Sequence, residues 1–154
     1  MAEFLNADGQ VIRFGRDQGK RGARAGVTTS TTKMNELVLT IDLEGAAGAR
    51  FTMDRTGDGT NDGFSGLDTP IPARARIISQ NVIELEAPAG GTNFTVGTFQ
   101  INGTAIDADG IRVAAGTNGA QVGTQLTQDS YVGVTTTGTY TAGIYKVIVE
   151  YMIA

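Results

Sequence analysis

Two stretches of strict alternation dominate the chain. Between Glu36 and Leu43, the residues Leu37, Leu39, Ile41 and Leu43 share one face, and Glu36, Val38, Thr40 and Asp42 share the other. Between Ile144 and Ile153, the residues Tyr145, Val147, Val149, Tyr151 and Ile153 oppose Ile144, Lys146, Ile148, Glu150 and Met152. A period of two predicts half-buried strands, because successive side chains leave a strand on opposite faces. Residues 73–87 predict the longest strand. Ala75, Ile77, Ser79, Asn81, Ile83, Leu85 and Ala87 form one face. Arg74, Arg76, Ile78, Gln80, Val82, Glu84 and Glu86 form the other, whose charged ends suit a sheet edge or a subunit contact.

Weaker alternation adds further elements. Residues 93–102 read as a strand with Phe94 and Val96 opposite Phe99 and Ile101. Residues 120–126 and 131–137 read as two more, and 11–14 and 50–53 as short ones. Gly/Pro/Thr clusters predict turns at 88–92 and 140–143, and residues 103–119 read as loop-rich, with a short turn around 111–115. Seven or eight short strands without a helix predict an all-β fold. The expected form is an antiparallel β-sandwich of Greek-key or jelly-roll type. No fixed-period repeat points to a propeller or solenoid.

Residues 15–32 break this pattern. They hold no apolar period, only Gly, basic residues and the run Thr28, Thr29, Ser30, Thr31, Thr32. Arg13, Arg16, Lys20, Arg21, Arg24 and Lys33 are six of the twelve Lys and Arg in the chain. Against Glu3, Asp8 and Asp17 they give the first 33 residues a net charge of +3, and the other 121 residues carry −7. The division expected is an extended basic N-terminal arm over residues 1–33 and a β-sandwich domain over 34–154. The six basic residues are the candidate partner-binding set, since a basic arm suits an acidic groove on another chain.

Composition narrows the chemistry. The 154 residues suffice for one domain with a real core. The 22 Gly and 21 Thr fit turns and strands. No Cys and no His are present, so disulfides, thiolate metal sites and the commonest general base are excluded. A net charge of −4 and the lack of aromatics among the basic residues argue against nucleic acid. No apolar run approaches the roughly 18 residues of a membrane span. Glu3, Asn6 and Asp8 stand where a signal peptide needs an apolar stretch, so synthesis in a cytoplasm is expected.

Two acidic constellations remain. Asp54, Thr56, Asp58, Gly59 and Asp62 match calcium-loop positions 1, 3, 5, 6 and 9. The bidentate carboxylate of position 12 is replaced by Ser65, so Asp54, Asp58 and Asp62 are a weak calcium candidate beside a plain hydrophilic loop. Asp107 and Asp109 flank Ala108 before Gly110, a spacing that fits an Asx-turn pair better than a glycosidase acid and base. No phosphate loop, nucleophile elbow or partnered Ser appears, so no enzyme and no required cofactor are expected. Without Trp, only Tyr131, Tyr140, Tyr145 and Tyr151 could stack a sugar, and the last two alternate with core positions.

Several stretches resemble small virion structural proteins of tailed bacteriophages. They are Ala2 to Leu5 with Asp8-Gly9 and Val11 to Gly15, Pro72 to Ile77, Asp107 to Ile111, Gln121 to Thr124, Thr139 to Gly143 and Lys146 to Tyr151. The Asp/Gly-rich stretch 54–68 has no counterpart in that pattern. The resemblance implies a capsid decoration, or cement, protein on the outer surface of the virion. It implies a homotrimer of β-structure that bridges subunits of the major capsid protein. The alternative is a head-fibre or tail-associated adhesin that binds a host-surface glycan.

Overall fold

The computed structural model describes residues 2–5, 11–14, 24–29, 34–44 and 70–153, with side chains described in the last two ranges. Ten strands form among them: β1 (Ala2–Leu5), β2 (Val11–Phe14), β3 (Arg24–Thr29), β4 (Met34–Asp42), β5 (Ala75–Gly90), β6 (Asn93–Phe99), β7 (Ala105–Ala114), β8 (Thr117–Asn118), β9 (Tyr131–Thr137) and β10 (Tyr140–Ile153). They build two sheets, ordered β1-β2-β3-β4-β10-β5 and β8-β7-β6-β9, and every pairing is antiparallel. The protein is all-β, as the alternation requires.

The two most regular patterns form the centre of the larger sheet. β10 pairs with β4 from Ile144↔Asp42 to Met152↔Met34 without a slip. Leu37, Leu39, Ile41, Val147, Val149 and Tyr151 all turn inward and are buried. Leu37, Leu39, Ile41, Ile77, Val147 and Val149 meet Phe94, Val96, Ile111, Val132 and Val134 of the smaller sheet in one apolar cluster. Each such side chain contributes about 1.5–3 kcal/mol by leaving water. A satellite pair, Phe99 and Tyr131, packs on the opposite face of β6 and β9. That separation fits the expected opposition of Phe94 and Val96 to Phe99, whereas Ile101 lies past the strand and is exposed.

Both crossovers between the sheets lie at one corner. The chain leaves β5 through Gly90 and Gly91 and re-enters β10 after Gly138, all three with positive φ. The Gly91 amide donates to the Thr139 carbonyl at 2.8 Å, and the Thr92 amide to the Thr137 carbonyl at 2.8 Å. The Tyr140 ring occupies the space that a Cβ at Gly91 would need. Only glycine there satisfies both the left-handed backbone and the stacked ring.

Several sequence expectations are corrected. Pro88, Ala89 and Gly90 belong to β5, and Tyr140 to Gly143 belong to β10, so the corner is tighter than the expected turns. Pro88 is tolerated because β5 is an edge strand. The faces of β5 hold as expected only as far as Ile77. Tyr151 pairs with Ile77 but Glu150 with Ser79, so Ile78 bulges and the alternation inverts. Gln80 then turns inward and is buried, while Ile83 is exposed. Residues 105–114 form β7 where loop was expected, and residues 120–126 form a loop where a strand was expected. The predicted strand at 50–53 lies outside the described residues.

The basic leader contributes strands. β3 pairs with β4 from Arg24↔Thr40 to Thr29↔Asn35, β2 pairs with β3, and β1 with β2. The segment expected to be a free arm thus continues the larger sheet outward in its described parts. Thr28, Thr29 and Val27 have the β-branched chemistry that suits a strand, which the lack of apolar alternation had masked.

Candidate functional site

The most irregular part of the described fold is a bulge in β7. Val96 of β6 pairs with Arg112, and Thr98 pairs with Asp107. A single β6 residue, Gly97, therefore faces residues 108–111. The bulge carries its own hydrogen-bond partners. The Gln80 amide Nε2 donates to the carbonyls of Gly119 at 2.7 Å and Gly110 at 3.3 Å. The Gln121 backbone amide donates to the Gly110 carbonyl at 3.0 Å, and the Gly119 amide to the Ile111 carbonyl at 2.9 Å. These bonds satisfy carbonyls that leave the ladder, which is the condition for burying an irregular backbone.

Asp107 and Asp109 lie on this bulged strand, not on the Asx turn expected. The Asp109 carboxyl adjoins that of Asp107. Burial first, and then the adjoining Asp109 carboxyl, push the Asp107 pKa above the usual carboxylate range.

Beside the bulge, the loop after β8 encloses a cleft of about 270 Å³ lined by Asp107, Gln121, Thr124, Gln125, Thr127 and Gln128, with carbon surface from Ile106 and Leu126. Gln121 is buried and its Nε2 donates to the Thr98 hydroxyl at 2.6 Å. Among the described residues, its side-chain Oε1 has no hydrogen-bond partner.

All four tyrosines are buried, so none is an exposed sugar platform. Tyr145 and Tyr151 serve interior packing, as their alternation predicts. Tyr145 donates to the Glu84 carboxylate at 2.9 Å. Burial, then that hydrogen bond and the Glu84 charge, push its pKa from 10.0 up to about 12. Because the folded phenol holds its proton longer than the unfolded one, stability is complete below pH 10 and falls as pH rises towards 12. The loss amounts to about 2–3 kcal/mol across that interval. Tyr145→Phe should flatten this alkaline limb in urea unfolding measured against pH; an unchanged slope would place the titration elsewhere.

The candidate partner-binding residues are only partly placed. Arg13 lies on β2 and Arg24 on β3, at the margin of the larger sheet opposite β5. Arg16, Lys20, Arg21 and Lys33 lie outside the described residues, as do Asp54, Asp58 and Asp62. Among the described residues no group of three or more acidic side chains could hold a metal ion. At the other margin, the outer edge of β5 is bridged by residues 123–126 as far as Ile77, and beyond that Ile83 and Leu85 are exposed beside Glu84 and Glu86 with no neighbouring strand among the described residues. The charged face of residues 73–87 suits an edge or a subunit contact, but the sequence carries no sign of the bulge that exposes Ile83. No protein-family model, curated protein or solved structure matches the chain.

Proposed function

We propose that this chain is a virion structural protein: a decoration, or cement, protein on the outer surface of a tailed-phage capsid. It acts without catalysis, by bridging neighbouring subunits of the major capsid protein. The observation that carries this reading is the division of charge. A net +3 is concentrated in residues 1–33 and −7 in the remainder, and the described leader strands lie at one margin of the larger sheet. A basic margin attracts an acidic groove on a neighbouring chain, and the further basic residues Arg16, Lys20, Arg21 and Lys33 add to its charge.

The two sheets over one core support a β-sandwich. The order β9-β6-β7-β8 supports a Greek-key element, because three successive antiparallel strands are followed by a fourth beside the first. The part of β5 beyond Ile77, with Ile83 and Leu85 exposed among the described residues, suits contact with a second copy of the chain in a homotrimer. Repetition around such a trimer multiplies weak arm contacts through avidity. Binding only to the assembled shell strengthens it by mass action.

The test reverses charge without removing sheet. Deleting residues 1–33 would strip β3 from β4, so the informative variant is Arg16→Glu, Lys20→Glu and Arg21→Glu together. Capsid affinity should fall at least tenfold, and the wild-type protein should bind more weakly as salt rises. Unaltered occupancy of capsids by the triple variant would overturn the role of the leader. In a virion reconstruction the protein should decorate the shell exterior; density confined to the tail would reject the decoration reading in favour of an adhesin.

A further inference from the structure

We propose that the two ends of β5 are the complementary halves of one interface, the basic end of one copy of the chain receiving the acidic end of a second copy. The contact is the self-association named in the decoration reading, on which it rests, and it forms without a capsid.

The complementarity is written along a single strand. Arg74 and Arg76 flank the start of β5, and Ile83-Glu84-Leu85-Glu86 alternates apolar and acidic residues further along it. All six are exposed. Among the described residues neither guanidinium meets a carboxylate, and Glu86 meets no cation. Arg76 and Glu84 are eight residues apart. That is about 26 Å of strand, well beyond the roughly 8 Å Debye length that limits exposed charges. The two ends therefore cannot neutralise each other within one copy. Each also carries apolar surface. Arg76 pairs with Met152, and Ala75 with Ile153, across the β5–β10 ladder. Met152 and Ile153 are 40 % and 37 % exposed, and Leu85 at the acidic end is 58 % exposed. Arg and Met are enriched where protein surfaces bury one another.

The backbone at Arg74 is a second, independent observation. Its φ is 70°, in the left-handed region that favours glycine. The turn is pinned on both sides. The Arg74 amide donates to the Leu126 carbonyl at 2.8 Å, its carbonyl accepts from Gln125 Nε2 at 3.3 Å, and the Ala73 amide donates to the Asp129 carboxylate at 2.8 Å. A glycine would hold this turn without strain, and the arginine side chain has no bonded use among the described residues. Strain at such a residue points to an external use for its side chain. Because residues 123–126 already bridge the backbone there, side chains make the contact. Two acidic ends repel, which disfavours a two-fold contact between like ends. Contact between unlike ends runs head to tail, and closing it on itself makes a ring such as the homotrimer.

The test follows self-association of the full-length protein by sedimentation velocity across concentration and salt. The wild type should associate and should weaken as salt rises. Arg76→Glu and Glu86→Arg should each weaken association at least tenfold, and the two in one chain should restore most of it, since each interface regains an opposite-charge pair. Arg74→Gly should weaken association without lowering the melting temperature, measured where the wild type is dissociated. A wild type monomeric at every concentration, single variants that associate like the wild type, or a double variant no better than the singles would each overturn the contact. Arg74→Gly that loses capsid occupancy but keeps self-association would assign the basic end to the shell and overturn it as well. Capsids decorated by a protein that never self-associates would sink this contact and leave the decoration reading standing; self-association that follows the charge swap without capsid binding would do the reverse.

Discussion

Gly97→Ala is expected to destabilise the protein by about 3 kcal/mol, the upper end of what one extra methyl costs in a packed interior. Gly97 is buried in β6 opposite the β7 bulge. A Cβ there would overlap the Asp107 carbonyl oxygen and the backbone of Ala108. Backbone cannot rotate away as a side chain can. The bulge cannot retreat either, because Gln80 and Gln121 hold Gly110 and Gly119 from behind. Relief therefore requires breaking the β6–β7 ladder at the centre of the smaller sheet. Gly116→Ala is the matched control: nothing lies within 4 Å of its Cβ position, and only its φ of +68° opposes the change. That should cost about 1 kcal/mol. Equal losses in denaturant unfolding for the two variants would mean that close approach at Gly97 does not decide the effect.

The contrast between Gly97 and the regular strands explains what was legible in the chain. β4 and β10 could be read almost residue by residue, because their pairing runs without a slip and one face is buried as far as Tyr151, with only Ile153 exposed against expectation. β5 could be read only up to its bulge at Ile78, since one extra residue inverts every later side chain. β7 was read as loop because Asp107, Asp109 and Gly110 are turn residues by local chemistry. Its strand is held by partners far away in sequence, Gln80 among them, and local propensity carries no trace of those. The same applies to the cleft. Gln121 and Gln128 are unremarkable polar residues until the bulge and the loop bring them beside Asp107. In the leader, the charge and the short strand at 11–14 were legible, and the pairing of β3 with β4 was not.

Phe94→Ala is expected to cost about 3–5 kcal/mol, the range for removing a buried aromatic ring. Phe94 is 2 % exposed and sits where three aromatic rings and one cation converge. Its ring lies 4.6 Å from that of Tyr145 and 6.3 Å, edge-on, from that of Tyr140. The Arg112 guanidinium lies 3.5 Å above the Phe94 ring centroid. Arg112 is itself buried, and burial lowers its pKa from the usual value. Among the described residues its partners are the Phe94 carbonyl, the Asn93 side-chain oxygen at 3.4 Å and the rings, with no carboxylate in the set. The ring therefore does two jobs: it fills the junction of the two sheets and it solvates a buried charge. Truncation leaves the backbone carbonyl bond possible but removes the face beneath the cation. Arg112→Met separates these roles, since replacing a buried charge by an apolar chain of similar length is often close to neutral. In the Arg112→Met background, Phe94→Ala should cost about 1–2 kcal/mol less than in the wild type, the scale of a desolvated cation–π contact. Costs that add to within about 0.5 kcal/mol in this cycle would show that Phe94 acts by volume alone.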